Sequence, residues 1–225
     1  ELGARRVLLP PLGMTQLTQV VRQLGIEENL ETVQLVVSTP TPGGSFAAYA
    51  ALIDNVTNDP RTLTAQWRAA EFPYTWVLPS SARAPGVAGA FYTTDLTLTN
   101  TTQAPPDFNL RFLGNNRNGL VGPSKDLTLA ANQTLRFADA LKSVFDLDQD
   151  YGAIRLARNS LNSSFGPGVV VQAQTSTPAP GGGTFGQSVP AASGSDEIRE
   201  GTIRSIVGVM ENAAFRTNLV LANTS

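Results

Sequence analysis

Apolar and polar residues alternate in two stretches of this chain, and the two stretches repeat each other. In Phe91-Tyr92-Thr93-Thr94-Asp95-Leu96-Thr97-Leu98-Thr99-Asn100 and again in Phe215-Arg216-Thr217-Asn218-Leu219-Val220-Leu221-Ala222-Asn223, an aromatic, a Thr, two Leu and an Asn occupy every second position. Tyr92, Thr94, Leu96, Leu98 and Asn100 match Phe215, Thr217, Leu219, Leu221 and Asn223. A period of 2 predicts a strand with one buried face.

The remaining pattern is read around these two copies. Residues 5 to 12 predict a short strand stopped by Pro10 and Pro11, which cannot continue a ladder. Met14, Leu17, Val20, Val21 and Leu24 recur at helical spacing, with Gly25 placed as a C-terminal cap. Val33, Leu35 and Val37 predict a strand, Phe46 to Ile53 a mostly apolar and therefore central one, and Thr62 to Trp67 another. The polar turn Asp54 to Pro60 joins the last two. Beyond the organising strand come strands at Phe108 to Leu113 and Asp126 to Ala130, then a helix over Leu135 to Phe145 with Leu135, Ala138, Leu141 and Phe145 on one stripe. Ile154 and Leu156, Val169 to Ala173, and Thr184 to Val189 predict three further strands, followed by Ile203 to Val209 and the terminal copy.

The order of elements recurs as well. Setting Val7 on Leu127, Leu17 on Phe137 and Val21 on Leu141 uses an offset of about 120 residues, which drifts to about 123 for Tyr92 on Phe215. Two β-sandwich modules are expected, each with one short helix. Residues 71–192 make a complete module A, and residues 193–202 a linker. Residues 1–70 and 203–225 carry the end and the beginning of a split module B, whose terminal strands are expected to belong to a neighbouring subunit.

Pro85-Gly86-Val87-Ala88-Gly89-Ala90-Phe91-Tyr92-Thr93-Thr94-Asp95-Leu96 resembles the Pro-Gly-x-x-Gly-x-aromatic-x-Thr-Asp/Asn-Leu opening of tandem Ig-like β-sandwich modules in large secreted bacterial surface proteins, displaced by one residue around the aromatic. The C-terminal copy lacks the Pro-Gly. The resemblance implies a sandwich and a cell exterior, and no activity.

Composition narrows the chemistry. Among 225 residues there is no Cys and no His, which removes disulfide staples, a thiolate nucleophile, the usual partner of a catalytic Ser and the commonest zinc ligand. Net charge is -2, the lysines are Lys125 and Lys142, and the arginines are scattered, so no basic face is expected for nucleic acid. No apolar run of about 18 residues predicts a membrane span. The start at Glu1 and the Thr/Asn/Gly/Pro-rich, Lys-poor composition point to a processed, secreted or cell-surface product, and equally fit an excised fragment.

The candidate sites are few. Asp146, Asp148 and Asp150 alternate in a loop, a spacing that can converge oxygens on Ca²⁺, although Tyr151 and Ala157 stand where an EF-hand needs Gly and Glu; the alternative is a solvated acidic helix end. Asp54 to Asp59 reads as a turn whose Asx side chains bond their own backbone. Asn-x-Ser/Thr triplets begin at Asn55, Asn100, Asn132, Asn162 and Asn223; Asn55 and Asn162 lie in expected loops and are the candidate glycosylation sites, whereas Asn100 and Asn223 fall at strand ends. Trp67 and Trp76 flank the expected module junction and could pack there or offer a sugar platform.

No catalytic residues are nominated and no enzyme is expected. The assembly strand is Phe215, Thr217, Leu219, Leu221 and Asn223, and its acceptor strands carry Val33, Leu35, Val37, Phe46, Tyr49 and Leu52. Assembly logic resembles that of pilins that exchange donor strands: copies of the chain join head to tail into an extracellular filament, pilus or surface layer. The alternative is a carbohydrate-binding or adhesive module of a larger secreted protein.

Overall fold

The computed structural model describes residues 2–66, 75–159, 168–194, 196–212 and 217–224. The chain divides into two compact units, Glu1–Val36 and Val37–Ser225. It is mostly β and antiparallel, with a two-stranded sheet and a nine-stranded one.

The larger sheet contains β3 (Thr75–Pro85), β4 (Phe91–Asn100), β5 (Asp107–Gly114), β6 (Ser124–Thr128), β7 (Thr134–Phe137), β8 (Asp150–Arg158), β9 (Val169–Pro178), β10 (Thr184–Pro190) and β11 (Ala192–Ser193). The smaller is the hairpin of β1 (Tyr49–Ile53) and β2 (Pro60–Thr64). In the larger sheet the strands run β10-β9-β4-β3-β8-β5-β6, with β7 added to β4 and β11 to β3. The strand singled out by its alternation is central. β9 lies along one edge of β4 from Thr93 to Asn100, while the other edge is shared by β3 at Phe91 to Thr93 and β7 at Leu96 to Thr99.

That change of partner turns a corner. β3 meets β4 only through Arg83 to Pro85 and gives its remaining length to β8, so the sheet folds into two faces that share one core. Leu96 and Leu98 of β4 and Val169, Val171 and Ala173 of β9 meet Trp76, Leu78, Phe108, Leu110, Phe112, Ile154 and Leu156 from the β3-β8-β5 side. The arrangement is sandwich-like. Within β4, Thr94, Leu96, Leu98 and Asn100 of the sequence alternation are buried, joined at the strand end by Thr99. Pro79, which has no N–H to offer a ladder, falls where the β3–β8 register shifts between Leu78 and Ser81.

The helix expected over Leu135 to Phe145 is shorter than its periodicity. Only Ala140–Phe145 is helical (α1), and Thr134–Phe137 is β7 on the edge of β4, with Leu96 opposite Phe137. Asp139, at φ 45, separates the two elements, and the open edge of β4 offers the backbone of Thr134–Phe137 hydrogen-bond partners that compete with a further helical turn. Leu141 and Phe145 still point into the core.

In the first unit, the strand expected over residues 5 to 12 does not form; Gly13 N–H instead closes a turn on the Pro10 carbonyl at 2.8 Å. Of the helix expected over Met14 to Leu24 only the 3-10 turn Arg22–Leu24 is present, closed by Gly25 at φ 78, whose N–H bonds the Arg22 carbonyl. A helix of about 11 residues is marginal without an apolar partner to pack on, and Met14 is 85% exposed. Val33 to Val37 is likewise not a strand. In the second unit, Phe46 to Ile53 narrows to Tyr49–Ile53, and it is an exposed strand rather than a central one. Thr62 to Trp67 becomes Pro60–Thr64, and Trp67 lies outside the described residues. Ile203 to Val209 and residues 217–224 form no strand. These segments have the periodicity of elements without the opposing apolar layer that would fix them.

Candidate assembly surface

The two copies of the alternating strand differ in what surrounds them. In β4, Leu96 and Leu98 are fully buried, at 0% exposure. Their counterparts Leu219 and Leu221 are 65% and 80% exposed. Thr217 Oγ1 donates to the Met210 carbonyl at 2.9 Å and accepts from the Met210 N–H at 3.0 Å. Phe215 lies outside the described residues.

Asn100 shows what the repeated end of the pattern can do. Its buried amide nitrogen donates to the carbonyls of Ala104 (2.7 Å), Ala130 (2.9 Å) and Leu129 (3.2 Å). Its Oδ1 accepts from the Thr102 N–H at 2.9 Å and Thr102 Oγ1 at 2.8 Å. This side chain ties the β4–β5 and β6–β7 loops to the end of β4. It is spent on structure and is closed to glycan attachment. Asn55 sits exposed at the tip of the β1–β2 hairpin, and Asn162 lies outside the described residues.

The expected acceptor residues are open on the surface. Leu35, Val37, Phe46 and Leu52 are exposed large hydrophobics, Tyr49 is 74% exposed, and Val33 is half-buried. Among the described residues β1 pairs with β2 alone, so its second edge carries no strand.

The hairpin's other side reaches β10 and β9 through polar groups, several of them from the Asp54 to Asp59 turn. Asp54 Oδ1 accepts from the N–H groups of Val56 (2.9 Å) and Thr57 (3.1 Å), the expected Asx turn. Its Oδ2 accepts from the Thr184 N–H at 2.9 Å and Thr184 Oγ1 at 3.1 Å. Asp59 Oδ2 accepts from the Gly186 N–H at 2.9 Å, Thr57 Oγ1 donates to the Thr184 carbonyl at 2.9 Å, and Arg61 bonds Thr184 Oγ1. A Cβ on Gly186 would lie 2.4 Å from the Thr175 carbonyl oxygen, so this position must stay bare for the strands to approach. The backbone bonds of Val56 and Thr57, followed by those of Thr184, hold the Asp54 carboxyl at about 2, well below its ordinary 3.8. Gln66 adds a two-way bond to Val171, at 2.6 Å to the carbonyl and 3.1 Å from the N–H. The turn chemistry of Asp54 was legible; its second oxygen, aimed at a residue 130 positions away, was not.

Of the two tryptophans expected at the module junction, Trp67 lies outside the described residues. Trp76 is a core residue packed edge-on against Phe108 at 6.1 Å, because β3 alternation turns it inward. The alternating aspartates are drawn to cations rather than to one point. Lys142 Nζ bonds Asp146 at 2.6 Å and Asp148 at 2.9 Å, and Arg117 pairs with Asp150. Lys142 lowers the Asp148 carboxyl from its ordinary value, and the two aspartates raise Lys142. Among the described residues no three His, Cys, Asp or Glu side chains form a metal-holding group, and no helix is long and apolar enough to cross a membrane.

No family model matches the chain, and none of the curated proteins matches it. A solved structure, the crystal structure of Thermotoga maritima 1070, is similar over 56% of this chain and 99% of its own, with 14% identity and a TM-score of 0.41.

Proposed function

We propose that this protein is a structural component of an extracellular assembly, in which modules of an Ig-like sandwich are completed by strands from another copy. The observation that carries the reading is the contrast between Leu96 and Leu98, fully buried in β4, and the same pattern exposed at Leu219 and Leu221. An apolar strand pattern that has no layer to bury it recruits one, and backbone pairing supplies the specificity. An unpaired β1 edge in the same unit offers such a place. The Lys-poor composition without cysteine fits a cell-surface location and a fold held by packing. A carbohydrate-binding role would call on an aromatic platform, and Trp76 is committed to the core.

Sedimentation velocity over a range of concentrations tests the reading. The chain should associate as its concentration rises, and Leu219→Asp combined with Leu221→Asp should abolish association while the circular dichroism stays that of a β protein. A chain that remains monomeric at every concentration, or a double variant that associates as before, defeats the proposal.

A further inference from the structure

We infer that the open edge of β1 is the docking site for residues 217–224 of a second copy, antiparallel and in one defined register, with Leu219 opposite Ala50. The inference rests on the assembly reading above and adds the partner segment and its alignment.

The complete sandwich supplies the template. β9 has two neighbours: β10 on one edge and β4 on the other. β1 has the first kind of neighbour and lacks the second, since β2 pairs with it antiparallel as β10 pairs with β9. The two hairpins correspond in chemistry as well as in direction. Ala173 faces Val189 in one, and Ala50 faces Leu63 in the other. In both, the residues next to these in the outer strand, Ser188 and Pro190 or Thr62 and Thr64, belong to the opposite face. Ala173 and Ala50 are separated by the same offset, about 123 residues, that separates Leu96 from Leu219.

Because both strands move by one offset, the pairing of β4 with β9 transfers unchanged. Leu96 opposite Ala173 becomes Leu219 opposite Ala50, and Leu98 opposite Val171 becomes Leu221 opposite Ala48. Thr217 then faces Leu52, and Asn223 faces Phe46 at the end where Asn100 faces Val169. This alignment puts Leu219 and Leu221 on the face that carries Ala50, Leu52, Leu63 and Arg61. A slip of one residue would move the leucines to the face of Tyr49, Ala51, Ile53, Thr62 and Thr64, away from Ala50 and Leu63, the half-buried apolar pair of the hairpin. The chain's own residues 217–224 are not in a strand and leave this edge open, and the occupant proposed for it is the same segment of another copy.

The chain contains no cysteine, so disulfide trapping reads the register directly. Directly opposed residues of an antiparallel pair have Cα atoms about 4.5 to 5.5 Å apart, within the range a disulfide spans. Full-length Ala50→Cys and Leu219→Cys chains, carrying different tags and mixed under mild oxidation, should give a cross-linked heterodimer. So should Tyr49→Cys mixed with Val220→Cys, the adjacent pair in the same register. Tyr49→Cys mixed with Leu219→Cys, one residue out, should give a loss of that product. Preferential trapping of the out-of-register pair overturns the alignment. Trapping only within one chain that carries both Ala50→Cys and Leu219→Cys, with none in the mixture, overturns the second copy as occupant. If cysteine-free chains still associate in sedimentation while neither in-register pair traps, the register falls and the assembly reading stands.

Discussion

Asn100 concentrates more structural duty than any exposed residue of the chain, and a change there separates structural from modification roles. Removing its amide takes the donor from the carbonyls of Ala104, Leu129 and Ala130, of which the bond to Leu129 is buried and the other two partly so. An unsatisfied buried group costs about 1–3 kcal/mol, so Asn100→Leu is expected to destabilise the sandwich by about that amount. Urea denaturation should show this as a lower midpoint, whereas Asn55→Ala, at an exposed turn position, should stay within about 0.5 kcal/mol of the parent. Equal midpoints for the two variants would sink the account of Asn100. The leucines behave differently from this polar anchor. Leu96 and Leu219 have the same local pattern, and only the surroundings make one a core residue and the other an exposed one.

Among the elements, the β1–β2 hairpin has one edge that is open and a turn that is fastened. Asp54 and Asp59 cover outward N–H groups of β10, at Thr184 and Gly186, with carboxylates. This blunts an edge strand that would otherwise invite pairing. The fastening depends on charge. The carboxyl of Asp54 lies at about 2 in the folded chain, held down first by the Val56 and Thr57 N–H groups of its own turn and then by Thr184, against 3.8 where these bonds are absent, so the unfolded chain takes up a proton more readily. The contribution is therefore fully present above about 4 and is lost as pH falls through about 2. The amide proton of Thr184, followed by NMR from pH 6 downward, should report loss of its carboxylate partner in that window. In Asp54→Asn the same titration should disappear; a Thr184 signal that titrates identically in both chains would refute the assignment.

For the whole molecule, the core cluster runs from Trp76 to Val189, with Ala191 packed against it, and among the described residues includes none beyond Ala191. Cooperative unfolding of this part should not need residues 203–225. Deleting them is expected to leave the Trp76 fluorescence transition within about 1 kcal/mol of the parent, while removing the association assigned to that segment. Collapse of the transition on deletion would mean that the segment contributes to the core, contrary to the packing described. The exposed apolar residues at Ile203, Ile206, Val207, Leu219 and Leu221 are thus carried by a part of the chain whose burial lies outside this core.

The sequence by itself determined the class of the fold and the identity of its central strand. Alternation in β4, β5, β8 and β9 survives in the structure because each of these strands has an opposing apolar face within the same 115 or so residues, and period 2 is then enforced by burial. The repeat was legible for the same reason, as pattern rather than as contact. Tertiary structure decided what pattern cannot carry. It cut the helix to Ala140–Phe145 because β4 had an edge for Thr134–Phe137 to pair with, and it turned Trp76 inward from the expected junction. It placed the second oxygen of Asp54 on Thr184, a partner chosen by proximity in space and invisible to spacing. It also left the strands expected before Phe46 and after Ile203 unformed, since periodicity describes a face, and a face becomes an element only when another surface covers it.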